Sequence, residues 1–376
     1  EVIEQEAGVR EFDSSDKDLI WDTLGTKQRQ ATDLVDEVVD DSVDSIKESI
    51  INEIKTKKDA HRTENVDFYL SLLDKLDLSK KLDIDSYNKL FKSVVATKHT
   101  IPAAVAGEKA GTKSRGRLWF EKLTGIKNAT SPVSTVLHAQ KDGKEFIAIV
   151  PDADNKFPRV REGEVGLQEG FAVASIVNQI VAEDKDKDVK RPIVLVVDVP
   201  SQAYGYQEEL IGIHVALGSS AAAYAKARQA GHPVIDFIPG DAVSGGFLAH
   251  GLQSNRMIAL DDDSITIQAM SKASAARITQ RTITELEEAT KHVPAMAYDI
   301  DNYEKLGALY KLVKGIGSWE ATDENVDKIK ELINQAIDSL DGDTSLHFRY
   351  QTEIAKASGR KSTLQVRKLV DEEWSK

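Results

Sequence analysis

Ile193-Val-Leu-Val-Val-Asp-Val-Pro-Ser-Gln-Ala-Tyr-Gly205 is an apolar run that ends in a turn of small and polar residues. Pro233-Val-Ile-Asp-Phe-Ile-Pro-Gly-Asp-Ala-Val-Ser-Gly-Gly246 repeats the plan and leads into a helical pattern. Near-continuous apolar strands such as Ile193 to Val197 suit a sheet covered on both faces, so an α/β layered domain is expected. Each turn can offer backbone N–H groups, because glycine allows close approach and a helix start leaves its first amides unpaired. Such amides can stabilise an oxyanion. The second turn has no phosphate-loop lysine and no G-x-G-x-x-G spacing, so it is neither a Walker loop nor a dinucleotide fingerprint.

Outward from these stretches, short apolar runs alternate with helical patterns in the manner of βαβ units. Strands are expected at Ser134 to Ala139, Phe146 to Val150, Pro192 to Val199, Pro233 to Ile238, Arg256 to Leu260 and Ser264 to Gln268. Helices are expected at Glu164 to Ala182, Gln207 to Gln229 and Gly245 to Ser254, and along the stripe Val326, Ile329, Ile333, Ile337 and Leu340. Before them, residues 1–55 carry a helical stripe through Val35, Val38, Val39, Val43, Ile46, Ile50 and Ile54 that must pack on something. Two further stripes, Phe68 to Leu76 and Tyr87 to Val94, are separated near Asp83 to Asp85. Residues 101–116 are small, basic and glycine-containing, and read as a linker.

A formal charge of −13 on 376 residues disfavours nucleic acid or an anionic membrane as partner. Zero cysteines exclude disulfides, Cys-ligated metal and thiol catalysis, and fit a cytoplasmic protein. No apolar run reaches the roughly 18 residues of a spanning helix, and the first residues lack the pattern of a signal peptide. The chain begins Glu1-Val-Ile-Glu without methionine and reads as the continuation of something longer.

The first turn places Asp198 at a strand end, then Ser201, Gln202 and Tyr204 in a loop, where α/β sheets keep their ligands. An ordinary turn with Asp198 bonded to backbone is the plainer reading. Two adjacent glycines just inside a helix cost about 1 kcal/mol each relative to alanine, so tight packing or an anion-accepting N–H pair must offset them. His250 is a candidate proton donor or a packing residue; His214 and His232 are weaker candidates. Asp261-Asp-Asp263 reads as a solvated turn, since it lacks the spaced ligands of a calcium site. Lys272, Arg277 and Arg281 either meet anions or decorate a helix surface. No metal site is expected.

Several ordered segments carry a resemblance: Val194 to Gly205, Ala230-Gly-His-Pro-Val-Ile235, Ser244-Gly-Gly-Phe-Leu-Ala-His-Gly251, Arg256-Met-Ile-Ala-Leu-Asp261 and Met296-Ala-Tyr-Asp-Ile300. With Ser114-Arg-Gly-Arg-Leu-Trp-Phe120 and Val165-Gly-Leu-Gln-Glu-Gly170, they resemble the gamma subunit of biotin-independent malonate decarboxylase, a relative of the C-terminal carboxyltransferase half of acyl-CoA carboxylases. Gly8-Val-Arg-Glu-Phe-Asp-Ser14 and Asp18-Leu-Ile-Trp21 resemble instead the end of the beta subunit. The resemblance implies a beta–gamma fusion without the beta body: a beta tail at 1–55, a helical connector at 56–113 and a gamma carboxyltransferase-like domain at 114–376.

It also implies a crotonase-like ββα-superhelix and loss of CO2 from a malonyl thioester on an acyl carrier protein. The implied arm is a phosphoribosyl-dephospho-CoA group on that carrier, with no cofactor on this chain. The implied partners are the beta subunit body, the carrier protein and an acyltransferase alpha subunit. By the same resemblance, Ala203, Tyr204 and Gly205 with Gly245 and Gly246 form an oxyanion hole, and Ser201, Gln202, Ser244, His250 and Lys272 line the substrate. Which half holds the thioester carbonyl stays open. Tyr204, Tyr206, Ser201 and His250 are candidates to protonate the carbanion. Carboxyl transfer to a biotin carrier and a non-catalytic docking role are the alternatives.

Overall fold

The computed structural model describes residues 17–56, 62–80, 82–97, 102–106, 113–291 and 300–375. Gly8 to Ser14, most of the Met296 to Ile300 segment and the middle of the expected linker lie outside the described residues. In chain order the strands are β1 (Val105–Ala106), β2 (Thr130–Ser131), β3 (Val136–Lys141), β4 (Lys144–Ile149), β5 (Ile193–Val196), β6 (Val234–Ile238), β7 (Ala242–Val243), β8 (Arg256–Leu260), β9 (Ile267–Gln268) and β10 (Leu309–Val313). The main sheet runs β10-β8-β6-β5-β4-β3. All its pairings are parallel except the β3–β4 hairpin.

Every residue of β5 is fully buried, because alternate side chains enter different cores. Ile193 and Leu195 join one cluster, while Val194 and Val196 join the other. This is why the sequence shows a continuous apolar run there instead of an alternating one.

The amino-terminal helices are α1 (Lys17–Leu24), α2 (Thr26–Ala31), α3 (Val43–Thr56), α4 (Val66–Lys75) and α5 (Ile84–Val95). Next come α6 (Arg115–Thr124), α7 (Leu167–Glu183), α8 (Tyr206–Ile211), α9 (Ile213–Gln229), α10 (Ser244–Ala249) and α11 (Lys272–Ile278). The chain closes with α12 (Ile283–Thr290), α13 (Ile300–Lys305), α14 (Asp323–Asp338), α15 (Glu353–Ala357) and α16 (Lys361–Trp374). One face of the sheet is covered by α7 and α9, with α4 and α5 outside them; the other is covered by α6 and α14. Val326, Ile329, Ile333 and Leu340 of the carboxy-terminal stripe are buried as expected.

After the hairpin the same unit recurs. A main-sheet strand is followed by a short strand of a second sheet, then by a helix: β6-β7-α10 and β8-β9-α11. The second sheet pairs β7 with β9 in parallel, and Val199 extends it by bridging Ala242. This ββα repeat is the one expected of a crotonase-like ββα-superhelix. It places the turn after β5 beside the turn after β6.

Three local differences from expectation have physical causes. The helix expected over Gln207 to Gln229 is broken at Gly212, whose φ of +109° lets the chain pivot where Leu34 packs against it. Tyr69 stacks on Phe171 at 4.5 Å, so the stretch read as a connector contributes to the main core. The stripe from Val35 does not become one helix: helical structure begins at Val43, and α3 buries no residue. Val43, Ile46, Ile50 and Ile54 are all exposed. Asp83 does separate α4 from α5, and caps α5 by accepting from Ser86 N at 2.7 Å. Among the described residues, no helix is long and apolar enough to cross a membrane.

Candidate functional site

The two turns form one wall. Val165 N donates to Ser201 O at 3.0 Å and Ala203 N returns a bond to Val165 O at 2.9 Å, which fixes the first turn against the segment before α7. Val199 O accepts from Val243 N at 3.1 Å and fixes it against the second. The second turn then approaches so closely that a Cβ on Gly246 would sit 2.8 Å from Ser201 O and 2.9 Å from Val165 Cγ2. The tip of the Gln202 carboxamide lies against Gly245. The Tyr204 and Ser244 hydroxyls meet at 2.5 Å. Tight packing, one of the two readings the sequence offers for these glycines, is what their surroundings show.

The backbone supplies the donors. The Ala203 N–H is spent on Val165 O, so it is not a free donor for the oxyanion hole in which Ala203 was expected. Among the described residues, the amides of Tyr204 and Gly205 donate to no backbone carbonyl, and Gly205 leads directly into α8. Gly245 and Gly246 lie in the first turn of α10, where no earlier helical carbonyl is available. Ser244 holds a left-handed backbone, φ +63°, in a position where side chains other than glycine are strained.

His250 does not belong to this wall. It is fully buried at the far end of α10, its Nδ1 lies 2.8 Å from Tyr224 OH, and burial pushes its pKa down to about 3. It is a neutral core histidine, which corrects its assignment to the substrate. Tyr224 and Asp236 sit in the same core, and burial raises both of their pKa values well above the ordinary ranges. Lys272 is exposed at the start of α11 and pairs with Glu287 Oε1 of α12 at 3.0 Å, so it follows the surface reading. Asp262 organises its loop by accepting from Ser264 N at 2.8 Å and Ser318 N at 2.7 Å.

Two supports were not singled out from the sequence as site residues. Arg115, which opens α6, spans Asp198 at the end of β5 and Asp241 before β7. Asp198 does bond backbone, as the plainer reading held, but the amides it accepts come from Gly116 and Asp241 on two different segments. The second support is Glu169 in the first turn of α7, which accepts from Gly166 N at 3.0 Å and from the Thr135 hydroxyl. An E three residues after Gly166 is the capping pattern that signals it.

Burial raises the Glu169 pKa to about 7, outweighing the hydrogen bonds that favour its charged form. Because the folded-state value lies above the ordinary 4.5, the native state holds the proton more tightly. Its contribution to stability is therefore full below pH 4.5 and lost as the pH rises through about 7. Denaturant titrations at pH 4.5 and pH 8 should show wild type losing on the order of 3 kcal/mol relative to Glu169→Gln, which has no carboxyl to ionise. Parallel stability curves for the two proteins would contradict this account.

The family model for the malonate decarboxylase gamma subunit matches residues 160–374. Malonyl-S-ACP:biotin-protein carboxyltransferase MADD of Malonomonas rubra is 37% identical over 195 residues, covering 50% of this chain and 67% of that protein. A chain of a Pseudomonas malonate decarboxylase hetero-tetramer solved with coenzyme A is 41% identical, with a TM-score of 0.63. A chain of the Pseudomonas MdcD–MdcE hetero-dimer is 42% identical, with a TM-score of 0.60. In both cases the match spans 70% of this chain and all of the other. The matched region includes both turns and the helices that carry them, so this chain belongs to the malonate decarboxylase gamma subunit family.

Proposed function

We propose that this chain is the gamma-type component of a malonate decarboxylase, removing CO2 from a malonyl thioester on an acyl carrier protein to leave the acetyl thioester. The observation that carries the reading is the contact between the turns, in which Gly246 lies against Ser201 and the Tyr204 and Ser244 hydroxyls share a hydrogen bond. Losing CO2 leaves an enolate. Fixed N–H donors aimed at that oxygen lower the barrier because their interaction strengthens as charge develops. The beta subunit supplies the opposite wall, the carrier supplies the phosphoribosyl-dephospho-CoA arm, and an alpha-subunit acyltransferase loads it. The amino-terminal residues then represent the end of a fused beta subunit, whose α1 packs on α8 and whose Arg29 lies 3.6 Å from Glu209 of that helix, next to the first turn.

A second reading has support of its own. The Malonomonas rubra relative is a carboxyltransferase that uses a biotin protein, and the same wall serves carboxyl transfer. The assembled protein given malonyl-carrier substrate should release CO2 without biotin. Release that depends strictly on a biotin carrier would select the carboxyltransferase.

A further inference from the structure

The proposed reaction leaves a carbanion that must be protonated, and the wall holds a hydroxyl pair suited to that step. Tyr204 lies on the first turn and Ser244 on the second, and their hydroxyls share a hydrogen bond across the contact. Tyr204 is half-buried, open enough to exchange its proton with solvent, whereas Ser244 is buried. Ser244 also sits at φ +63° directly before Gly245. A serine there costs about 1–3 kcal/mol that glycine avoids, and backbone strain of this kind persists where the surroundings hold a group in place. The group held is the hydroxyl on Tyr204. Two other candidates fall away on position: His250 is sealed in the core against Tyr224, and Tyr206 packs against the main apolar cluster.

We infer that Tyr204 is the acid that protonates the acetyl carbanion and that Ser244 is its positioning residue. The inference rests on the decarboxylation reading above. Cleavage of the carbon–carboxyl bond releases CO2 and leaves its electron pair on the α-carbon as the enolate. That carbon takes the phenolic proton of Tyr204: a C–H bond forms as the O–H bond breaks. The Ser244 hydroxyl donates to the resulting phenolate and holds it in place, and solvent returns the proton to Tyr204. The step is downhill, because the α-carbon of a thioester enolate is a stronger base than a phenolate. No oxidant, metal or further reactant is required.

Tyr204→Phe removes one oxygen and preserves the ring, so it tests the acid with little disturbance to packing. The chain assembled with its partner subunit is given malonyl-coenzyme A as the probe thioester. Two rates are read: net acetyl-thioester formation, and return of ¹³C-labelled CO2 into the remaining malonyl thioester. In Tyr204→Phe, net formation should fall by about 10²-fold. Label return relative to net formation should rise by at least about 10-fold, because an enolate that waits for a proton recaptures CO2. Ser244→Ala should lower net formation by about 10-fold and raise the label-return ratio by about 3-fold, with the denaturation midpoint reported beside it. A Tyr204→Phe protein with unchanged turnover overturns the inference, and so does one with reduced turnover but an unchanged ratio, which marks a structural role. If the wild-type assembly releases no CO2, the decarboxylation reading fails and the inference fails with it; a working wild type beside an unchanged ratio removes the inference alone.

Discussion

Gly246→Ala is expected to lower turnover by about 10²- to 10³-fold, while Gly245→Ala, the same added methyl one residue earlier, stays within about 10-fold of wild type. The difference lies in what each methyl would meet. At Gly246 it lands 2.8 Å from a backbone oxygen, Ser201 O, and 2.9 Å from Val165 Cγ2. Ser201 O cannot retreat, because it accepts from Val165 N within the ladder that also uses Ala203 N. The start of α10 must move away from the first turn instead. A displacement approaching 1 Å at a catalytic wall costs about 10²-fold, and loss of one oxyanion donor costs about 10²- to 10³-fold. At Gly245 the nearest atom is the end of the flexible Gln202 carboxamide, which can rotate aside. Rates per folded molecule for both variants, with denaturation midpoints, separate chemistry from instability. Full turnover in a folded Gly246→Ala protein would support a scaffolding role for these turns.

The main sheet was legible because both of its faces are covered. Once every position is buried, apolar runs such as Ile193 to Val197 stand out against their polar surroundings, and β8 falls on the expected Arg256 to Leu260. The second sheet was harder to see. A two-residue strand such as β7 leaves no periodicity, and its pairing depends on a residue forty-odd positions away, as Val199 and Ala242 show. Glycine marked the turns themselves, but not which amide remained free. Ala203 looks equivalent to Tyr204 in sequence, and only the bridge from Val165 to Gln202 shows that its N–H is committed. His250 was misplaced for a related reason. It follows the two glycines by four residues, yet a helix of one and a half turns carries it away from the mouth and into the core beside Tyr224. The α3 stripe followed the rule for an amphipathic helix, but its apolar face is exposed in this chain, so periodicity gave the helix and not its neighbour.

Asp198→Ala should cost about 3–5 kcal/mol of folding stability, more than any other single truncation of a polar side chain at this site. The carboxylate is 8% exposed and joins three segments. Oδ2 accepts from Gly116 N at 3.0 Å; Oδ1 accepts from Asp241 N at 3.1 Å and from Arg115 Nε at 3.2 Å. Truncation leaves two amides without their acceptor, at about 1–3 kcal/mol for each one that stays buried. It also leaves the Arg115 guanidinium, largely buried, with Asp241 as its one remaining carboxylate. Arg115 gains its charged form from both carboxylates against the cost of burial, so losing one reverses part of that balance. Asp198→Asn keeps the volume and one acceptor but turns an amide NH2 toward a cation, and should cost about 2 kcal/mol. Turnover should fall further than stability alone explains. Asp198 sits one residue before the first turn, and Asp241, which it holds, sits before the second while accepting from Thr266 N at 2.8 Å. Loosening the knot therefore lets the two donor strips drift independently. Urea titrations give the stability, and kcat measured on the folded fraction gives the rest. A stability loss under about 1 kcal/mol would mean that the apolar contacts of β5 and β6 alone set the spacing of the turns.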